Sequence, residues 1–93
     1  MRTIEEVQKE FVDLMKGVSA ELKACDPEQA AGDMQEVLRE VVEATPQVDA
    51  VLEVSAGLSR EMRNRVVVPV FEEQILPAYR RALGVAQRAP KLK

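Results

Sequence analysis

The sequence predicts an all-helical protein, namely a small antiparallel helical bundle of three long helices with a fourth, proline-kinked helix. Apolar residues recur at spacings of three and four along most of the chain, which is the period of a helix with one buried face. Prolines that follow Asp26 and Thr45 fall where one periodic segment gives way to the next. Val66, Val67 and Val68 favour a strand, but no second strand pattern is present to pair with them.

The chain length and composition predict one domain over residues 1–93. A chain of 93 residues can enclose one hydrophobic core, and 46% hydrophobic with 31% charged residues is typical of globular proteins. The longest apolar run, residues 66–71, is too short to cross a bilayer, so we expect no membrane association. Acidic residues stand where a signal peptide needs apolar ones, which predicts a cytoplasmic location.

The first helix is predicted to begin at Thr3, because Thr3 and Glu6 have the spacing of a capping box. Asp26 and Pro27 predict the start of a second helix, with Asp26 as its cap and proline in its first turn. Thr45 and Pro46 predict a stop and a restart, so that a third helix runs on to Val66. The stripes predict a core that includes Phe11, Leu14, Leu38, Leu52, Leu58 and Ile75.

The fourth helix is predicted to begin at Pro69, after a break at Val68, since proline disfavours helical dihedrals in the residue before it. Pro77 falls opposite the apolar stripe of this helix, so the helix is expected to bend there without ending. Residues 88–93 contain Pro90 and three basic residues, and they predict a frayed basic tail.

The chain offers no pattern for catalysis, so we expect no enzyme, no catalytic residues, no metal site and no cofactor. It contains no His to act as a base or as a metal ligand, and its four glycines are scattered singly. Glu36, Glu40 and Glu43 lie off the apolar stripe and are expected to be solvated. A lone Cys25 is expected to behave as a small hydrophobe.

Residues 66–76 carry more apolar side chains than one helix face needs. The surplus predicts a surface that contacts another protein chain, unless the fourth helix folds back and hides it. The expected function is therefore a protein–protein interaction module, such as an adaptor, small chaperone, assembly factor or regulatory subunit, that forms a homo-oligomer or binds a heteromeric partner. The predicted interface residues are Val66, Val67, Val68, Val70, Phe71 and Leu76.

Charge is divided unevenly along the chain, with 13 acidic and 5 basic residues in positions 1–53 but 3 acidic and 8 basic residues after them. This asymmetry suggests an alternative function, an anion- or nucleic-acid-binding accessory protein. The net charge of −3 argues against nucleic acid, because a larger acidic block repels phosphate. The basic half can instead lie against the acidic half, within one molecule or between two copies. The arginines of the alternative are Arg60, Arg63, Arg65, Arg80, Arg81 and Arg88.

Overall fold

A computed structural model describes residues 2–93, which form three helices where the sequence predicted four. Helix α1 spans Ile4–Ala24 and helix α2 spans Ala31–Ser55. Helix α3 occupies residues 60–88 without interruption. Its successive segments are α-helical Arg60–Met62, π-helical Arg63–Val67, α-helical Val68–Val70, π-helical Phe71–Ile75 and α-helical Leu76–Arg88.

The start of α1 is confirmed. Thr3 and Glu6 form the reciprocal capping box, in which each side chain accepts a hydrogen bond from the backbone N–H of the other residue. The N–H of Ile4 has no partner within α1, and it donates to the Asn64 side-chain oxygen over 2.8 Å. The beginning of α3 therefore helps to cap α1, which fixes these two helix ends side by side.

The predicted break at Pro46 is wrong, because α2 continues through it. Pro46 is exposed, so the carbonyl that its missing N–H leaves free faces water. The chain turns later, at residues 56–59, and Ser59 caps α3 by accepting a bond from Met62 N–H over 3.2 Å. Asp26 does accept backbone bonds, but it caps a turn at residues 27–30, and α2 begins only at Ala31.

The predicted break before Pro69 is also wrong, since α3 is helical on both sides of Pro69 and of Pro77. A π-helical segment precedes each proline, and the residue just before the proline donates its N–H to a carbonyl five residues back: Val68 to Arg63 and Leu76 to Phe71. The wider turn adds one residue per turn without ending the helix. The two π-helical turns lie eight residues apart. At each of them two adjacent apolar residues are buried, 67–68 at the first and 75–76 at the second.

Helix α3 lies between the other two helices. It runs parallel to α1, as contacts of Phe11 with Phe71 and of Cys25 with Lys91 show. It runs antiparallel to α2, because Glu40 contacts Arg81 while Val51 and Val67 line one pocket. Helices α1 and α2 both pack closely on α3 and hardly touch each other. This order leaves a groove between α1 and α2.

Most of the core lies where α1 and α2 meet α3, around the fully buried Ile75. Phe11 packs edge-on against Phe71 and Tyr79, with ring centroids 5.6 and 4.9 Å away. Among the predicted core residues, Ile75 is confirmed, and Phe11, Leu14 and Leu58 are partly buried against this cluster. Two predictions are wrong, since Leu38 is 53% exposed and Leu52 is 64% exposed. They lie on faces of α2 that α3 does not reach.

The sequence predicts a frayed tail over residues 88–93, but the structure places this segment against the end of α1. Leu92 N–H donates to Ala24 O and Asp26 N–H donates to Pro90 O, each over 2.9 Å. Ala89 is buried against Cys25. The backbone groups of the tail therefore find partners after α3 has ended at Arg88.

Candidate functional site

A groove with a volume of about 410 Å³ separates α1 from α2. Tyr79 of α3 contributes to it, and its walls are almost wholly apolar, with Ser19 and Lys23 as the polar exceptions. The apolar wall residues are Met15, Val18 and Leu22 from α1 and Val37, Leu38 and Val41 from α2. A wide groove with apolar walls is the kind of surface on which another helix can pack.

The groove forms because α1 and α2 each carry a second apolar stripe beside the one that packs on α3. The second stripes repeat at alternating spacings of three and four, which is the pattern of helices that pack side by side in a coiled coil. On α1 the stripe consists of Val12, Met15, Ser19 and Leu22, and on α2 it consists of Leu38, Val41, Thr45, Val48 and Leu52.

The outer members of these stripes are open to water. Met15 is 41% exposed, and Val42, one helical turn from Leu38, is 65% exposed. Five of the nine large apolar side chains that the structure exposes belong to α1 and α2 in or beside the two stripes: Val12, Met15, Leu38, Val42 and Leu52. Scattered exposed hydrophobes are common, whereas contiguous apolar patches are typical of binding surfaces.

Tyr79 keeps its part of the groove uncharged. Burial raises the pKa of its hydroxyl above the usual value, so the group remains neutral at neutral pH. Its ring packs against Phe11, which fixes the ring between α1 and α3. An apolar side chain entering the groove therefore meets no buried charge.

The predicted interface in residues 66–76 is divided by the structure. Val67, Val68, Phe71 and Leu76 are buried inside the protein, and so are unavailable to a partner as the chain stands. This fits the alternative in which the chain covers its own apolar surplus, because the π-helical turns rotate these residues toward α1 and α2. Only Val66, at 46%, is among the exposed large apolar residues.

Val66 and the half-buried Val70 border a second pocket, with a volume of about 220 Å³, between α2 and α3. Val54, which is 52% exposed, lies on its α2 side. This pocket is about half as large as the groove. It preserves a small part of the predicted interface.

The six arginines of the alternative function do not form one basic surface. Arg60 pairs with Glu5, Arg80 with Glu10 and Arg81 with Glu40. Arg63 donates to the Ser55 carbonyl over 2.8 Å, and Arg65 is exposed. Arg88 shares a shallow pocket with Arg80 and Arg81, but Glu36 and Glu40 line the same pocket.

These ion pairs join the acidic first half of the chain to its basic second half. The hydrogen bond from Arg60 lowers the pKa of the Glu5 carboxyl. Burial acts to raise the pKa of Glu10, but hydrogen bonds from Arg2 and Arg80 outweigh burial and lower that pKa overall. Both carboxylates therefore remain ionised at neutral pH and neutralise basic groups that an external anion would need.

No family model, curated protein or solved structure matches the chain. Between residues 2 and 93, no helix is long and apolar enough to cross a membrane. In the same part of the chain, no group of His, Cys, Asp and Glu side chains is arranged to hold a metal ion.

The groove was not predicted from the sequence because Leu38 and Leu52 were assigned to the core. In the structure α1 and α2 both pack on α3 and hardly contact each other, so neither of them covers the second apolar stripe of the other. A signal was nevertheless present: Leu38, Thr45 and Leu52 recur at intervals of seven residues, beside the stripe of Val37, Ala44 and Val51 that the structure buries. Two parallel stripes on one helix predict two packing partners.

Proposed function

We propose that the protein is a non-catalytic protein-interaction module, an incomplete helical bundle whose apolar face on α1 and α2 is covered by another protein chain. The observation that carries this proposal is the pair of second apolar stripes, which line one groove through Met15, Leu22, Leu38 and Val41 and leave Val12, Met15, Leu38 and Leu52 exposed. Here "apolar face" means these two stripes with Val42. An adaptor, assembly factor or regulatory subunit would use such a face.

The energies set a condition on the partner. Finishing the burial of five half-exposed apolar side chains contributes roughly 4 to 8 kcal/mol, at about 1.5 to 3 kcal/mol for each complete burial. Association itself costs about 4 kcal/mol or more in lost freedom of motion. A partner that contacts one or two of these side chains would bind very weakly, so a stable complex has to cover both stripes.

The alternative of anion or nucleic-acid binding has less support. Its arginines are distributed over several surfaces, and three of them pair with carboxylates of α1 and α2. A nucleic-acid-binding surface needs several unpaired basic groups on one face.

Affinity capture with two matched variants tests the proposal. Tagged wild type, Leu38→Asp and Val66→Asp are each incubated with untagged copies of the chain and with proteins of the source cells. Leu38 and Val66 are similarly exposed, at 53% and 46%, but only Leu38 lies on the apolar face. Both variants are expected to fold, because each new carboxylate faces water.

We expect wild type and Val66→Asp to capture the same chain, and that chain to bind purified wild type as well. Leu38→Asp should lose this binding, since it places a charge in an apolar interface. If Leu38→Asp leaves capture unchanged and Val66→Asp abolishes it, the interaction surface lies at the smaller pocket. That result would contradict the proposal.

A further inference from the structure

We propose that the chain which covers the apolar face is a second copy of this protein, in a two-fold dimer that packs α1 of each protomer against α2 of its partner. The inference rests on the proposed function and identifies the occupant of that face. Four features support it: the width of the face, its area, the self-complementary stripes and the charges beside them.

The width of the face favours two helices as occupant. A single helix lying in the groove would contact its walls, but Val12 and Val42 lie beside the groove and are absent from its lining. They are nevertheless 40% and 65% exposed. A second copy presents its own pair of stripes, of the same width and spacing, and so covers the outer residues as well as the groove.

The long side of the protein that carries the apolar face is large enough for a stable dimer interface. The protein measures 47 × 20 × 18 Å, so a long side of 47 by 20 Å is available when helices pack side by side. A typical stable interface buries about 800 Å² on each partner, which is close to the area of such a side. A small contact at one end of the protein would not reach that area.

The charged residues beside the stripes favour one of the possible helix pairings between the two protomers. Lys9, Lys16 and Lys23 recur every seven residues along one edge of the α1 stripe. Asp49 and Glu53 lie near the end of the α2 stripe, and neither has an ion-pair partner among residues 2–93. Packing α1 on the partner's α1 would bring two lysine rows together, whereas packing it on the partner's α2 brings the Lys9 end of the row toward Asp49 and Glu53.

The geometry of the chain then places one specific pair. The first half of α1 packs at the same end of the protein as the second half of α2, since Ile4 contacts Asn64 and Val51 lines one pocket with Val67, both near the start of α3. A two-fold axis parallel to the helices keeps each residue at its own level and sets α1 over the partner's α2. Lys9 consequently lies near the partner's Asp49, and the contact occurs twice in the dimer.

A charge-swap cycle tests this arrangement. The dimer dissociation constant is measured by light scattering over a concentration series for wild type, Lys9→Glu, Asp49→Lys and the double variant. Each single change should weaken the dimer roughly five- to tenfold, because two exposed pairs become repulsive together. The double variant should return to within about twofold of wild type, since it restores opposite charges.

A control separates the dimer contact from a contact within the chain. Lys9 also pairs with Asp13 over 3.3 Å, and both side chains are largely exposed. Asp13→Asn breaks that pair while keeping Lys9, and it should leave the dissociation constant unchanged. A dissociation constant that shifts as much for Asp13→Asn as for Lys9→Glu overturns the predicted contact.

Two further outcomes separate this inference from the proposed function. A wild type that keeps a single mass at all concentrations overturns the dimer, and capture of a different protein that depends on Leu38 would then still support the proposed function. A dimer in which the double variant is weaker than either single variant overturns the pairing of α1 with α2.

Discussion

At the scale of single residues, the position of α3 decides which aliphatic side chains stabilise the fold. Ile75 faces both neighbouring helices and has no exposed surface. Leu38 lies in the stripe of α2 beside the one that packs on α3 and is 53% exposed. Ile75 and Leu38 are nearly equally hydrophobic, but truncating Ile75 should lower the free energy of unfolding much more than truncating Leu38.

We predict that Ile75→Ala lowers the free energy of unfolding by about 2 to 5 kcal/mol, because it leaves a cavity in the core. Leu38→Ala should change it by about 0.5 kcal/mol or less, as exposed substitutions usually do. Urea unfolding followed by circular dichroism, on samples dilute enough to dissociate a dimer, measures both values. A cost for Leu38→Ala as large as that for Ile75→Ala would mean that the groove is closed within one chain.

Glu10 makes stability depend on pH. Its folded-state pKa lies below the ordinary value, so its contribution is complete at neutral pH. That contribution is lost as the pH falls from about 4.3, the ordinary glutamate value, through the lower pKa of the folded state. Glu10→Gln should therefore destabilise the protein slightly at pH 7, by about 1 kcal/mol or less, and much less at pH 3.

Urea titrations of wild type and Glu10→Gln at both pH values measure this difference. Asp13→Asn is a suitable control, since the Lys9 and Asp13 side chains are 80% and 61% exposed and their pair is expected to contribute little. A difference between wild type and Glu10→Gln that stays constant from pH 7 to pH 3 would contradict the role assigned to the ion pairs of Glu10.

At the scale of helices, the sequence predicted the start of α1 and the passage of the helix through Pro77, but it also predicted breaks at Pro46 and before Pro69, where the helices continue. Thr3 is confirmed as a cap because the capping box is a local interaction that needs only four residues. Proline is ambiguous, since it is favoured in the first turn of a helix and tolerated elsewhere when packing compensates. Local sequence does not report that compensation, which comes at Pro69 and Pro77 from π-helical turns packed on two other helices.

Pro46 provides a test of helix continuity. In the interior of an exposed helix face, proline is about 3 kcal/mol less favourable than alanine, while it restricts the unfolded chain by about 1 kcal/mol. Pro46→Ala should therefore stabilise the protein by about 2 kcal/mol, which corresponds to a rise in melting temperature of about 8 to 16 °C. Differential scanning calorimetry measures the change.

Pro27 is the matched control, because it is exposed and lies in the turn before α2. Pro27→Ala should leave the melting temperature unchanged or lower it slightly. If Pro46→Ala behaves as Pro27→Ala does, then α2 is two helices joined at Pro46, as the sequence alone predicted.

At the scale of the whole molecule, the all-helical class followed from the sequence but the order of the helices did not. Periodicity identifies which residues share a face and leaves open which neighbour covers that face. The stripe with Leu38 and the stripe with Val37 are both apolar, and only the position of α3 shows that the second is buried. The groove between α1 and α2 therefore had to be found in three dimensions, whereas the sequence predicted an interface in residues 66–76 of α3.

Sedimentation equilibrium of wild type, Leu38→Asp and Val66→Asp tests most directly whether the apolar face on α1 and α2 binds another copy of the chain. Wild type and Val66→Asp should show a mass that rises with concentration from 10.4 kDa toward twice that value. Leu38→Asp should remain at 10.4 kDa throughout the same concentration range. The opposite pattern would contradict this interface: the masses of wild type and Leu38→Asp rise equally with concentration, while the mass of Val66→Asp does not rise.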